Sequence, residues 1–206
     1  MSVFPPSFAD KFGLILCDPP WAFRTYSGGD RTPTQKKFNE AEDHYPTMSF
    51  DEMAALPVSD IAAKDCALVM WAVGSHIEEA IELGKAWGFT FKTDGFYWLK
   101  QKLVDAMQID LFTGDIAPPR ISMGYYTRKQ LEPAYIFTRG KPKVKAHDVR
   151  QLIIAPTRGH SRKPQEIYDR CEALIDGPYL EMFARQVQPG WDCWGNETGK
   201  FNAEAA

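Results

Sequence analysis

A short apolar run near the start of the chain constrains its fold more than any other sequence feature. Residues 12–17 read Phe-Gly-Leu-Ile-Leu-Cys. Because neither alternate face carries a polar side chain, the run predicts a strand that is buried on both sides, as in parallel sheets covered by helices. Further short apolar runs alternate with amphipathic segments along the chain. This pattern favours an α/β domain built from crossover units around a mostly parallel sheet flanked by helices.

The same pattern predicts the individual elements. The predicted strands are 12–17, 67–73, 89–99, 134–138, 149–155, 179–183 and 191–194. Helices are expected after Ser49 and after Ser75, since each serine is followed three residues later by glutamate, as in a capping box. The second helix should end near Gly88, and a third should run from about Pro164 to Ile175.

Length and composition predict one domain that spans residues 1–206. A chain of 206 residues with 44% hydrophobic residues can bury one core but is short for two. Two polar connections, residues 25–44 and 101–119, are expected to be mobile loops, either lids or substrate-contacting flaps or else insertions without a function, and residues 198–206 a frayed tail. The absence of a long apolar run or a secretion signal predicts a soluble, intracellular protein without membrane contact. Four dispersed cysteines predict reduced thiols.

Positive charge is concentrated in one part of the chain. The formal net charge is −3, yet residues 120–163 contain eleven Lys and Arg residues against two acids. This asymmetry indicates one basic face, with a merely solvated surface as the alternative. Within this part, residues 139–150 carry Lys141, Lys143 and Lys145 and are a candidate for holding nucleic-acid phosphates.

The segment after the first strand carries the clearest chemistry. The strand delivers Asp18 to its carboxyl edge, and Pro19 and Pro20 then form a stiff turn that ends at Trp21. The Asp18 carboxylate and the Pro19 carbonyl are two acceptors for the hydrogens of an amino group on a planar ring, on which Trp21 can stack. Such acceptors would bias the nitrogen lone pair toward an incoming methyl group. The alternative is a structural turn in which the indole fills the core.

Later residues are suited to bind a methyl donor. Ser161 and Lys163 precede the third helix, where the positive helix N-terminus favours an anion. Arg185 follows a strand and supplies a cation for a carboxylate. Asn196 and Glu197 end the last strand block and supply acceptors for ribose hydroxyls. Each of these residues has a structural alternative when it is taken singly.

Taken together, the blocks resemble the adenine-N6 methyltransferase family, which contains the catalytic subunit of the eukaryotic messenger-RNA adenosine methyltransferase and many bacterial and phage members. The matching blocks are 18–21, 45–48, 68–73, 88–100, 124–128 with Glu132, 138–140, 160–164, 181–185 and 195–196. The resemblance implies a Rossmann-like class I methyltransferase fold with permuted motifs, in which the catalytic tetrapeptide precedes the cofactor strand. It implies S-adenosyl-L-methionine as the cofactor and no metal.

The resemblance also implies roles for single residues. The catalytic segment is Asp18, Pro19, Pro20 and Trp21, in which Asp18 and Pro19 hold the target amino group while Trp21 and Tyr45 lie near the base. Apart from the resemblance, Tyr125, Tyr126 and Arg128 are candidates for holding the neighbouring strand of a DNA substrate. The cofactor-binding residues are Ser161, Lys163, Arg185, Asn196 and Glu197. Ala184 stands where glycine often precedes the arginine, and Glu197 stands where the messenger-RNA enzyme has an amide. The pocket for the adenine of the cofactor has no clear counterpart in the sequence.

The expected activity is site-specific methylation of the exocyclic N6 amino group of adenine in DNA, in the cytoplasm of a bacterial or phage-infected cell. In duplex DNA the target base would have to leave the stack. Two alternatives stay open: the same reaction on RNA, and a catalytically inactive nucleic-acid-binding partner subunit. Assembly as a homodimer or heterodimer is compatible with each. An unrelated nucleotide-binding enzyme is disfavoured, because the sequence lacks a Gly-x-Gly-x-x-Gly or Gly-Lys-Ser/Thr motif.

Overall fold

A computed structural model describes residues 3–21, 47–72, 74–101, 126–158, 162–196 and 198. The strands are β1 (Phe12–Cys17), β2 (Ala62–Trp71), β3 (Thr90–Gln101), β4 (Leu131–Arg139), β5 (Leu152–Pro156), β6 (Tyr179–Met182) and β7 (Trp191–Trp194). The helices are α1 (Phe50–Ala54), α2 (Ile77–Ala86) and α3 (Glu166–Leu174), with short 3-10 turns at Pro6–Phe8, Val58–Asp60 and Gly74–His76. Each predicted strand and helix therefore has a counterpart.

The strands form one sheet in the order β5-β3-β4-β2-β1-β6-β7. Of the strands that the structure describes, β4 alone is antiparallel to its neighbours, β2 and β3, and the remaining pairs are parallel. The mostly parallel sheet and its flanking helices confirm the α/β prediction and are consistent with a Rossmann-like methyltransferase fold.

Strand β1 lies near the middle of the sheet and is buried on both faces, as its sequence predicts. Ile15 and Cys17 belong to the core layer that α1 and α2 cover, which contains Met53, Leu83 and Trp87. The opposite layer contains Leu14 and Leu16 and is covered by α3, whose core residues are Ile167, Tyr168 and Cys171. The alternation along β1 therefore separates the two layers of the core.

One of the two predicted capping boxes forms and the other does not. The Ser49 hydroxyl accepts a hydrogen bond from the backbone N–H of Glu52 (3.3 Å), and the Glu52 carboxylate accepts from the Ser49 N–H (2.8 Å). The prediction at Ser75 is wrong. Ser75 lies inside the 3-10 turn and its hydroxyl pairs with Nδ1 of His76 (3.0 Å), so α2 begins at Ile77 without a side-chain cap.

Several boundaries differ from the predicted ones. β2 begins at Ala62 because Lys64 and Asp65 continue the strand with exposed side chains, which the apolar pattern does not detect. α3 begins at Glu166, two residues after Pro164. The predicted mobile loops and tail lie outside the described residues, except that Gln101 ends β3 and residue 198 is described. None of the helices among the described residues is long and apolar enough to cross a membrane.

Helix α2 packs directly on the sheet at Gly84. A Cβ at this position would be 2.6 Å from two ring carbons of Phe137. Overpacking of this kind costs about 1–3 kcal/mol, which outweighs the gain in helix propensity of about 1 kcal/mol. We expect Gly84→Ala to lower the free energy of unfolding by about 1 kcal/mol, measured by urea denaturation.

The matched control is Gly74→Ala, because a Cβ at Gly74 meets no atom within 4 Å. This variant should unfold at the same urea concentration as the parent protein, or slightly above it. Equal stability of the two alanine variants would contradict the close contact between α2 and Phe137.

Candidate active site

The candidate site lies at the carboxyl ends of β1 and β6, two neighbouring parallel strands whose connections run on opposite faces of the sheet. β1 is followed by α1 and β2 on one side, whereas its other neighbour, β6, is reached through α3 on the opposite face. In open α/β sheets, ligands bind outside the carboxyl ends of the strands at such a point. A cleft is present there. Its lining residues are Asp18, Arg162, Lys163, Tyr168, Glu181, Phe183, Arg185 and Gln186.

The Lys163 ammonium group is the electrostatic centre of this edge. Its Nζ lies 2.9 Å from Oδ2 of Asp18 and 2.6 Å from Oε1 of Glu132. The other oxygen of Glu132 pairs with Lys100, the penultimate residue of β3. Nζ also lies 5.3 Å from the centre of the Trp71 ring. The Lys163, Glu132 and Asp18 side chains are 11%, 13% and 24% exposed, so water screens these contacts weakly.

The titration behaviour of the pair follows from this arrangement. Burial alone would raise the pKa of Glu132, but Lys163 and Lys100 outweigh burial and hold the pKa at about 2. Burial alone would lower the pKa of Lys163, whereas Asp18 and Glu132 raise the pKa above its ordinary value. Lys163 is therefore a permanent cation that holds the Asp18 carboxylate in place.

The turn after β1 is tightly fixed. The Pro19 carbonyl accepts a hydrogen bond from the Trp21 N–H (2.8 Å), and the Pro20 carbonyl accepts from the Met48 N–H (3.1 Å). Each carbonyl has two lone pairs, so the Pro19 oxygen can accept a second hydrogen bond. Trp21 is 4% exposed and its ring lies 5.8 Å from that of His76. The indole is thus part of the core, and its stacking on a base stays a prediction.

Three buried polar atoms at this edge lack hydrogen-bond partners. Within the described part of the chain, Nε1 of Trp21, Nε1 of Trp71 and Oε2 of Glu181 are the buried side-chain nitrogens and oxygens without one. Other buried indoles do have acceptors: Nε1 of Trp87 donates to Met53 and Nε1 of Trp98 donates to Ala155, both at 2.9 Å. Because buried polar groups are nearly always paired, the unpaired donors and acceptor indicate a site that a polar ligand completes.

Glu181 lies beside Asp18 on the α3 face of the sheet. Its strand partner on β1 is Leu16, and its partner on β7 is Cys193. Burial raises the pKa of Glu181 to about 7, and the neighbouring Asp18 carboxylate adds to this increase. Burial likewise raises the pKa of Tyr168, the α3 residue that contacts Glu181.

At the far wall of the cleft, the side-chain amide of Gln186 forms hydrogen bonds with Tyr168 and Arg162. Nε2 of Gln186 donates to the Tyr168 hydroxyl (3.3 Å), and Nε of Arg162 donates to Oε1 of Gln186 (2.8 Å). These bonds fix the segment after β6 against α3 and set the width of the cleft.

The structure brings together some of the residues that the sequence singled out. Asp18, Lys163 and Arg185 line one cleft. Asn196 is near it in the backbone, since Gly195 packs so closely on Ala184 that a Cβ at Gly195 would lie 2.7 Å from the Ala184 nitrogen.

Other predicted residues are exposed or undescribed. Tyr126 and Arg128 are exposed and precede β4, whose amino end lies at the Asp18 edge of the sheet, and their role in holding the substrate stays a prediction. Tyr45, Tyr125, Ser161 and Glu197 lie outside the described residues. The basic segment 139–150 follows the end of the antiparallel β4 and therefore lies at the edge of the sheet opposite Asp18. Its lysines are partly engaged there, as Lys145 pairs with Asp176 (3.1 Å). This segment cannot hold the phosphate of a base bound at Asp18.

Sequence reasoning assigned no role to Glu132, Glu181, Tyr168 or Gln186. A signal for the two acids exists, because each interrupts an otherwise apolar strand, and a carboxylate within a buried strand needs a partner. Tyr168 and Gln186 carry no comparable signal, since their position depends on how α3 packs.

The chain is similar to known methyltransferases over most of its length. The family model MT-A70 matches residues 12–197. The type II methyltransferase M.MunI from Mycoplasma sp is 34% identical over 95% of this chain and 81% of its own length. The human N(6)-adenine-specific methyltransferase METTL4 is 26% identical over 95% of this chain and 39% of its own length. The human N(6)-adenosine-methyltransferase catalytic subunit METTL3 is 27% identical over 93% and 29%, respectively.

The Glu132 ion pairs predict a characteristic acid sensitivity. The pKa of Glu132 in the folded chain, about 2, lies below its ordinary value of 4.5, so the stabilisation is present above about pH 4.5 and is lost as the pH falls toward 2. We expect Glu132→Gln to lower the free energy of unfolding at pH 7 by about 3 kcal/mol, because buried Lys163 loses a charged partner. Urea denaturation at pH 7 and at pH 3 measures both effects.

Glu82→Gln is the control, since Glu82 is exposed on α2. Glu82→Gln should follow the pH dependence of the parent protein, whereas Glu132→Gln should lose less stability between pH 7 and pH 3 than the parent does. An unchanged pH dependence in Glu132→Gln would show that the ion pairs do not contribute to folding.

Proposed function

The chain belongs to the MT-A70 family of methyltransferases, and from this premise and the geometry of the Asp18 edge we propose that it transfers a methyl group from S-adenosyl-L-methionine to the N6 amino group of adenine in DNA. The single observation that supports the chemistry most directly is the Asp18 carboxylate, held at the carboxyl end of β1 by the buried Lys163 at 2.9 Å. The acceptor and its orientation are both built into the protein.

Asp18 and Pro19 act on the target amino group in this proposal. Oδ2 of Asp18 accepts from Lys163, so Oδ1 and the second lone pair of the Pro19 carbonyl are the acceptors for the two amino hydrogens. These hydrogen bonds oppose delocalisation of the nitrogen lone pair into the ring. Lys163 is a positioning residue here, because it acts through Asp18. Fixed acceptors of this kind lower the barrier by preorganisation, without rearrangement during the reaction.

The residues of the cleft fit the cofactor. When bound, S-adenosyl-L-methionine would supply an electrophilic methyl group on a sulfonium centre. The N6–carbon bond would form as the sulfur–carbon bond breaks, and the N6 nitrogen would release one proton to solvent. Arg185 is the candidate for the cofactor carboxylate and Asn196 for its ribose, whereas Lys163 is already engaged by two carboxylates and has one hydrogen left to donate. Ser161 and Glu197 keep their proposed cofactor roles. The unpaired Oε2 of Glu181, which lines the cleft, supports a polar ligand in this place.

The choice of DNA follows the relatives. M.MunI is named a type II methyltransferase, which by the meaning of that term is a DNA-modifying enzyme, and this chain covers 81% of its length. RNA is the second candidate, since METTL3 is named an adenosine methyltransferase. The chain spans 39% of METTL4 and 29% of METTL3, so the activities of those longer proteins are not carried over as a whole.

A transfer assay tests the proposal. The purified protein is incubated with methyl-labelled S-adenosyl-L-methionine and, in parallel, with duplex DNA, single-stranded DNA and RNA, and the labelled base is identified by mass spectrometry. We expect N6-methyladenine in DNA. Asp18→Asn should lower the rate by about a hundredfold or more, since it replaces a charged acceptor that the transition state needs.

Asp169→Asn is the matched control, because Asp169 is an exposed aspartate on α3. It should leave the rate unchanged. Transfer to RNA in preference to both DNA forms would replace DNA by RNA as the substrate. No labelled adenine in any polymer, or equal rates for Asp18→Asn and the parent protein, would contradict the enzymatic proposal.

A further inference from the structure

The cleft contains one acid that the proposed methyl transfer does not use. Asp18 is held by Lys163, and Glu132 is held by Lys163 and Lys100. Glu181 differs from both, since it has no ion pair among the described residues and its buried Oε2 accepts no hydrogen bond. An unpaired carboxylate oxygen in a binding cleft requires either a proton or a donor from a ligand.

The groups around Glu181 come from every element packed against it. Asp18 follows β1, Lys163 precedes α3, Tyr168 belongs to α3, Arg185 follows β6, and Cys193 lies on β7. Tyr168 donates to the carboxyl group, and the cations of Lys163 and Arg185 only partly offset burial and the Asp18 charge. The protein alone therefore leaves the ionised form of Glu181 short of one positive partner.

The chemistry of the cofactor supplies such a partner. The amino-acid part of S-adenosyl-L-methionine ends in a carboxylate and an ammonium group, and the ammonium group has N–H donors and a positive charge. Arg185, which lines the cleft with Glu181, is the candidate for the carboxylate. An acid and a base on the same wall match the two charged groups of an amino acid.

We propose that Glu181 binds the α-ammonium group of the cofactor and releases a proton when it does so, an inference that rests on the proposed function. The protonated carboxyl group of the free protein loses its proton to solvent, and the carboxylate then pairs with the ammonium group. No other bond changes. Glu181 thus couples cofactor binding to pH, while Asp18 handles the methyl acceptor.

The coupling has a defined direction and range. The pKa of Glu181 in the free protein is about 7, so the carboxyl group is about half protonated at pH 7. A bound ammonium group lowers that pKa, so binding releases about half a proton at pH 7, nearly one at pH 6 and almost none at pH 8.5. Below pH 7 the dissociation constant should rise by up to about tenfold for each pH unit.

Calorimetry measures the proton release on ligand binding without any methyl transfer. The parent protein is titrated with S-adenosylhomocysteine, which keeps the ammonium group and carries no transferable methyl, in two buffers of different ionisation enthalpy at pH 6, 7 and 8.5. The difference in heat between the buffers gives the number of protons released. Methylthioadenosine, which has the nucleoside but neither the ammonium group nor the carboxylate, is titrated in parallel. We expect proton release with the first ligand and none with the second.

Glu181→Gln removes the titrating group and keeps the shape of the side chain. It should bind S-adenosylhomocysteine more weakly at pH 8.5 and lose the proton release at pH 6. Asp169→Asn serves again as the control and should behave as the parent protein does. Circular dichroism checks that each variant is folded.

The outcomes separate this inference from the proposed function. Binding of S-adenosylhomocysteine by the parent protein with no proton release at pH 6, or with the same release in Glu181→Gln, would overturn the role of Glu181 and leave the methyltransferase proposal intact. Equal release with methylthioadenosine would also overturn it, because the ammonium group would then not be the partner. Failure of the parent protein to bind either ligand would contradict both proposals. If Glu181→Gln does not fold, the comparison of the two ligands still decides the question.

Discussion

The interaction on which the site depends is the pairing of one buried cation with two carboxylates. Lys163 contacts Asp18 at the end of β1 and Glu132 on β4, and Glu132 in turn pairs with Lys100 on β3. The cation also lies over the ring of Trp71, the last residue of β2. These four strands are neighbours in the sheet. The ion pairs therefore fix the carboxyl edge of its central part, and Asp18, the proposed catalytic aspartate, is oriented by that whole edge.

The direction of β4 makes this arrangement possible. Glu132 is the second residue of β4, and because β4 is antiparallel its amino end lies beside the carboxyl ends of β2 and β3. If β4 ran parallel to its neighbours, Glu132 would be at the opposite edge, some 20 Å away for a strand of this length. The same reversal carries the basic segment 139–150 away from Asp18. One strand direction thus supplies an acid to the site and removes a set of cations from it.

The sequence predicts the positions of the strands and helices better than it predicts the direction of each strand and the contacts between side chains. The strands were predictable because an apolar run such as 12–17 has few other ways to be buried, and Asp18 was predictable as a site residue because it follows such a run. The direction of β4 was not, since an apolar pattern is the same read in either direction. The partners of Lys163 depend on that direction, so they could not be predicted either. Ser75 fits the capping-box sequence but does not cap α2. It lies within a 3-10 turn, where its hydroxyl pairs with His76 and not with the helix backbone.

The two sides of the site differ in whether each charged side chain has a partner within the protein. On the Lys163 side each charge has a partner within the protein, so the proposed acceptor for the target amino group is already positioned before any ligand binds. On the β6 side the Glu181 carboxylate lacks one partner. A preorganised acceptor stabilises the transition state of a chemical step. A carboxylate that lacks a partner instead contributes to the affinity for a ligand that supplies one. Because Asp18 and Glu181 line the same cleft, a cation bound at Glu181 also reduces the negative charge beside Asp18. In the proposed function, the donor and the acceptor sides are therefore coupled electrostatically through this pair of carboxylates.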